Sequence, residues 1–177
     1  MDLWGLEYLD SLGVWRPNSD KSFEIEAAMN KHRDDKYISP SDVNEGESTY
    51  QCDDYVQNIL NEADINNDDY FAGNSQRKTV ADHIQNAVKN GIKINKKENA
   101  PELTKGATYV VLMGDSPIEY QNHTGILRKD KNGNITFTHN SKGNASGGVG
   151  TKEFNSEKDF QQWYDYDSFY YEKVKTK

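Results

Sequence analysis

Apolar positions along the chain follow a helical period in its first part and a strand period after about residue 105. Cys52, Tyr55, Val56, Ile59 and Leu60 recur at i, i+3, i+4, i+7 and i+8, which is one face of a helix with the cysteine in its first turn. Upstream, Phe23, Ile25, Ala27, Ala28 and Met29 predict a helix from about Ser22 to Arg33 with an acidic first half. Downstream, Thr79-Val80-Ala81-Asp82 resembles a capping box, Val80, Ile84, Ala87 and Val88 share a face, and Asn90-Gly91 supplies the stop. Residues 36–50 and 64–74 read as polar loops. Residues 1–20 hold Leu3, Trp4, Leu6, Leu9, Leu12, Val14 and Trp15, broken by Gly5, Gly13 and Pro17, and read as an irregular or briefly helical lead-in.

The period then changes. Thr108 to Met113 is a short β-branched and apolar run, the pattern of a buried strand. Thr124–Arg128 and Asn134–His139 flank Asp130-Lys131-Asn132-Gly133, a hairpin signal. A Gly- and Ser-rich loop from Ser141 to Gly150 leads to Phe154, Phe160, Trp163 and Tyr164, and Tyr166 to Val174 reads as a final strand. Helices followed by an antiparallel meander predict an α+β fold. A single domain is expected over 21–177 after the lead-in, without internal repeats.

Composition narrows the classes. At 177 residues, with 34% hydrophobic and 11% aromatic side chains, the chain suits one polar, ordered domain. Its net charge of −8 is spread along the sequence, so the surface repels phosphate backbones and nucleic acid is not an expected partner. Lys173, Lys175 and Lys177 read as a solvated end. No apolar run approaches the roughly 20 residues of a membrane span, and the first residues lack a basic-then-apolar signal pattern. One cysteine excludes an internal disulfide.

That cysteine becomes interesting through its position and its partners. Backbone N–H groups and the positive dipole end of a helix start favour thiolate over thiol. His123 begins the first hairpin strand and His139 ends the second, so the two imidazoles are expected near each other at the end away from the turn. Alternation puts Ile135, Phe137 and His139 on one face. If the cysteine helix packs its start there, Cys52 is the nucleophile, His123 its base and His139 the orienter of the base. Asn140 is the alternative orienter, although pleat phase favours His139.

These stretches resemble the papain-like cell-wall hydrolases of the NlpC type, most closely their CHAP branch. Gln51-Cys52-Asp53-Asp54-Tyr55-Val56 is similar to the CHAP nucleophile segment, and Lys105 to Val111 to the Gly-plus-strand segment before the family's histidine. Asn122-His123-Thr124-Gly125-Ile126-Leu127 is similar to the histidine strand, and Ile135 to Ser141 to the strand that ends in the orienting residue. The likeness covers roughly residues 45–150. Asn122 departs from the usual Gly and Thr124 from Val, while Asp53 and Asp54 oppose thiolate formation unless they cap the helix start.

The resemblance implies a papain-like fold and a cysteine amidase or endopeptidase working through a thioacyl intermediate, with no metal or organic cofactor. The backbone N–H of Cys52 is the natural oxyanion donor, with Tyr50 and Gln51 near in sequence as further oxyanion or substrate contacts. The opening Asp2-Leu3-Trp4-Gly5-Leu6-Glu7 is similar to the segment that closes the core of rearrangement-hotspot (Rhs) repeat proteins. It implies a C-terminal toxin domain of a larger secreted polypeptide, with Met1 as a cloned start. Peptidoglycan peptides in the target-cell periplasm are then the expected substrate, and a cognate immunity protein the expected partner. Two other readings stay open: a papain-like deamidase, transglutaminase or acyltransferase toxin acting on a cytosolic protein, and a non-catalytic wall- or partner-binding module.

Other signals carry less. Asp64-Ile65-Asn66-Asn67-Asp68 imitates an EF-hand opening, but Asp69 and Ser75 stand where Gly and Glu are needed. His83 is expected to be a partly exposed structural residue, and His32 to belong to a solvated charge cluster with Lys31, Arg33, Asp34 and Asp35. Gly143, Gly147, Gly148 and Gly150 lack the Lys-Thr of a phosphate loop and read as a mobile loop edging the active site.

Overall fold

The computed structural model describes residues 7–9 and 15–17 as backbone, and 21–65, 79–114 and 122–174 with their side chains. Four α-helices and a six-stranded antiparallel sheet make an α+β architecture among these residues. In chain order the elements are β1 (Glu7–Leu9), β2 (Trp15–Pro17), α1 (Ser22–Lys31), α2 (Cys52–Glu62), α3 (Val80–Lys89), β3 (Asn95–Lys96), β4 (Thr108–Met113), β5 (His123–Lys129), β6 (Ile135–Asn140), β7 (Val149–Phe154), α4 (Glu157–Trp163) and β8 (Ser168–Lys173). The large sheet runs β3-β8-β4-β5-β6-β7, while β1 and β2 pair with each other. Within the lead-in, Glu7–Leu9 and Trp15–Pro17 are therefore paired strands where an irregular or briefly helical segment was expected. The Asp2–Leu6 motif lies outside the described residues, as does the Asp64–Ser75 stretch beyond Ile65.

Helices and sheet meet through the predicted stripes. Tyr55, Val56, Ile59 and Leu60 of α2 are fully buried with Ile25 and Ala28 of α1 against Val110, Leu112 and Ile126. Each such aliphatic side chain contributes about 1.5–3 kcal/mol by leaving water. The other sheet face buries Val111, Met113, Leu127, Ile135 and Phe137 under Phe160 of α4. Strand β4 is buried on both faces, which is why its sequence is an unbroken apolar run. Helix α3 docks through His83, which is fully buried with Nε2 2.8 Å from Glu172 of β8. That corrects the expectation of a partly exposed histidine: the helical stripe placed it inward, and a carboxylate from a distant strand satisfies it.

The hairpin turn is built as its residues suggest. Asp130 accepts the N–H groups of Asn132 and Asn134 at 2.8 and 2.9 Å, and Gly133 takes φ +90°. Strand β7 and helix α4, like the two-residue β3, were not expected. Strand β7 begins inside the Gly- and Ser-rich stretch, and its residues Thr151 to Glu153 are exposed at the sheet edge, so no apolar alternation announces it. Helix α4 has its start capped by Ser156, which accepts from Asp159 N–H at 3.1 Å, but buries only Phe160 and Gln161.

Candidate active site

The sheet register brings several chain segments to one end. Met113 pairs with His123 on one side and with Phe169 on the other, so the starts of β5 and β8 lie together there. Strand β6 ends at the same place, because Ile126 pairs with Thr138 and Asn140 closes the strand. Helix α2 starts there too, tied down by Asn140, whose Nδ2 donates to the carbonyls of Tyr50 and Gln51 at 3.1 and 3.4 Å. A cleft of about 540 Å³ opens at this rim, lined by Gln51, Cys52, Asp53, Asn122, His123, Asn140 and Tyr166, with Tyr37, Pro40, Ser141 and Lys142 around them.

Cys52 is the first residue of α2 and is 8% exposed. Asp54 turns back to accept the Gln51 N–H at 2.8 Å, the capping role expected of it. Asp53 is instead fully buried and is among the residues lining the cleft. His123 presents Nε2 to Nδ1 of His139 at 2.5 Å, with the rings edge to face at 4.8 Å between centroids. Their side chains lie diagonally across the β5–β6 pair. Gly125, one step beyond the Ile126–Thr138 pair, makes the space: a Cβ there would meet the Phe137 ring at 2.4 Å and the His139 Cβ at 2.9 Å.

Alternation along β5 and β6 puts both imidazoles on the Leu127 and Phe137 face, whereas α2 covers the Ile126 face. The cysteine and the histidine pair thus approach from opposite faces and share the rim. His123, as the first residue of its strand, reaches the cleft; His139 stays behind it and lines a second cleft with Tyr164, whose hydroxyl is 3.5 Å from its Nε2. Among the described residues no hydrogen bond joins the Cys52 sulfur to His123, which directs Nε2 at His139.

The electrostatics leave both rings neutral. Burial, with His139 adding to it, pushes the pKa of His123 down to about 3. Burial alone takes His139 down to about 4. Tyr166 is raised to about 12 by burial first and then by the neighbouring Cys52. Its place at the cleft was not legible in the sequence: it precedes β8 by two residues and arrives only because β8 pairs with β4.

One of the expected contacts changes. Tyr50 is not a cleft residue: its hydroxyl donates to Asp35 Oδ2 at 2.8 Å and accepts from Asn58 at 3.2 Å, so its side chain points to the α1–α2 side. Gln51 does line the cleft. Asn140 lines it as well and serves as the tie between β6 and the segment before Cys52, while His139 holds the contact with His123. The Ser141–Gly150 loop edges both clefts and is pinned, not loose. Asn144 donates to the His139 and Gly148 carbonyls, Lys36 Nζ to Ser146 O at 2.7 Å, and Tyr37 N–H to Gly147 O at 3.0 Å. Gly148 lies against the Asp35–Lys36 backbone so closely that a Cβ would meet the Asp35 carbonyl oxygen at 2.1 Å.

Compared with protein-family models, with curated proteins and with solved structures, the chain matches none of them.

Proposed function

We propose that the protein is a cysteine amidase or endopeptidase with a papain-like, NlpC/CHAP-type site, cleaving amide bonds of bacterial peptidoglycan as an interbacterial toxin. The observation that carries this reading is the shared rim: Cys52 in the first turn of α2 and His123 line one cleft, with His139 hydrogen-bonded behind His123. A base must offer an unprotonated nitrogen, and the depressed pKa of His123 keeps its ring neutral near pH 7. If Nε2 of His123 carries the proton, it donates to Nδ1 of His139, and Nδ1 of His123 is the free base. His139 is then protonated on Nε2, the atom that faces the Tyr164 hydroxyl.

The reaction follows from that tautomer. Cys52 passes its proton to His123 Nδ1 as the sulfur bonds to the amide carbonyl carbon. The Cys52 backbone N–H, at the helix start, stabilises the oxyanion. Collapse breaks the C–N bond, and the proton on His123 leaves with the amine. Water then attacks the thioester, giving a proton to His123. The carboxylic product departs and that proton returns to sulfur. The resting imidazole is neutral, and negative charge developing on the sulfur raises the affinity of His123 for a proton at the moment of attack.

The test is expression directed to the periplasm. The wild-type chain is expected to lyse cells, Cys52→Ala to be harmless, and a cognate immunity protein to protect. Equal toxicity of Cys52→Ala would end the amidase reading. Toxicity confined to the cytoplasm with an intact wall would select a deamidase, transglutaminase or acyltransferase instead. Retention of wall material that Cys52→Ala leaves unchanged, without release of fragments, would favour a non-catalytic binding module.

A further inference from the structure

We propose that His32, which lies outside the cleft, is a positioning residue: as an imidazolium it clasps Asp35 and Glu62 and thereby holds the Tyr50–Gln51 segment that delivers Cys52. This rests on the reading of Cys52 as nucleophile.

His32 follows α1 as its C-terminal cap. Its Nδ1 is 2.7 Å from Asp35 Oδ2 and its Nε2 is 2.7 Å from Glu62 Oε1. Carboxylate oxygens only accept, so both ring nitrogens must carry hydrogen, which is the charged form. A neutral ring has one N–H and would set a lone pair against one carboxylate. The same Asp35 oxygen accepts the Tyr50 hydroxyl at 2.8 Å. Tyr50 in turn exchanges both backbone hydrogen bonds with Ile38 at 2.9 Å, and its carbonyl accepts from Asn140. The next residue, Gln51, is the N-cap of the cysteine helix. His32, Asp35 and Tyr50 thus form a side-chain strut from the α1–α2 surface to the nucleophile segment, and Tyr37 and Pro40 of the intervening chain line the cleft.

The charged and titratable groups facing the strut come from each packed element. Helix α1 brings Lys31, 3.1 Å from Glu62; α2 brings Glu62 itself and the buried Tyr55, which interacts with Tyr50 and Asp35 through space; the turn after α1 brings the exposed Arg33–Asp34 pair at 3.6 Å. The connecting segment brings Asp35 and Tyr50, and Asp54 acts on Tyr50 through space. Burial works against the charge on His32, but the hydrogen bonds to Glu62 and Asp35 outweigh it and raise its pKa above 6.5. The clasp is therefore complete at and below that pH and opens as pH rises through the raised value. Tyr50, whose phenol burial pushes further upward, keeps its proton throughout.

The test follows amide exchange over residues 36–51 by mass spectrometry, between about pH 6 and about pH 9 and corrected for intrinsic rates. Protection of the Ile38 and Tyr50 amides is expected to fall about tenfold for each pH unit by which the contacts raise the pKa of His32. In His32→Gln it is low at both ends. In Tyr50→Phe, His32 still titrates by imidazole NMR, but the amides no longer follow it. The kcat of the wild type carries an alkaline limb that His32→Gln lacks. Unchanging protection, or a His32→Gln profile identical to wild type, overturns the clasp. A hydrolytically inactive wild type with pH-dependent protection intact overturns the amidase reading and leaves the clasp standing.

Discussion

His139 is separated from the cleft by His123 and reaches it only through one hydrogen bond of 2.5 Å, so in the proposed mechanism it sets the orientation and tautomer of the ring in front. His139→Ala is expected to lower kcat about 10²-fold or more while leaving KM nearly unchanged, as loss of an orienting partner does. Steady-state kinetics within threefold of wild type would remove His139 from the site. Pleat phase made the choice between His139 and Asn140 readable, because alternation is local: adjacent residues must face opposite ways. The course of the Tyr50 side chain was not readable. Nothing near residue 50 announces Asp35 or Asn58 as partners, and both contacts exist only after α1 and α2 pack together. Tyr166 was hidden for the same reason.

At the scale of elements, long periodic segments were legible and short or edge ones were not. Helices α1, α2 and α3, strand β4 and the β5–β6 hairpin each carry a pattern set by burial on one face or both. Strand β7 buries only its end residues Val149 and Phe154 and exposes Thr151 to Glu153 between them, so its pairing with β6 leaves no alternating apolar pattern in the sequence. The docking of α3 on β8 makes a measurable claim. His83 and Glu172 are 0% and 3% exposed at the side chain, and His83→Leu strips Glu172 of its imidazole partner in that interior. A cost of about 3 kcal/mol or more in urea unfolding is expected. A change within about 0.5 kcal/mol, the range of an ordinary surface substitution, would show that the contact is dispensable.

For the molecule as a whole, three histidines are held below their ordinary pKa, with burial the first cause at each. Below the unfolded value of about 6.5 the unfolded chain binds protons that the folded one refuses. Their contribution to stability is therefore complete above about pH 6.5 and is lost as pH falls toward the folded values. His32 has the opposite sign, stabilising below 6.5 and losing its contribution as pH rises through its raised pKa. Urea midpoints from about pH 7.5 down to about pH 4.5 should decline, and a His123→Asn/His139→Asn double variant should decline less. An identical slope in the variant would mean that the imidazole pair is not buried as described. The helix start, the hairpin and the β8 approach meet at one cleft, where the Cys52 sulfur is proposed to open an amide bond. Mass spectrometry of purified peptidoglycan after incubation with the protein tests that step. The expected result is a set of fragments with new amine and carboxyl ends at one kind of amide bond, absent with Cys52→Ala; unaltered peptidoglycan, or the same fragments from the variant, would contradict it.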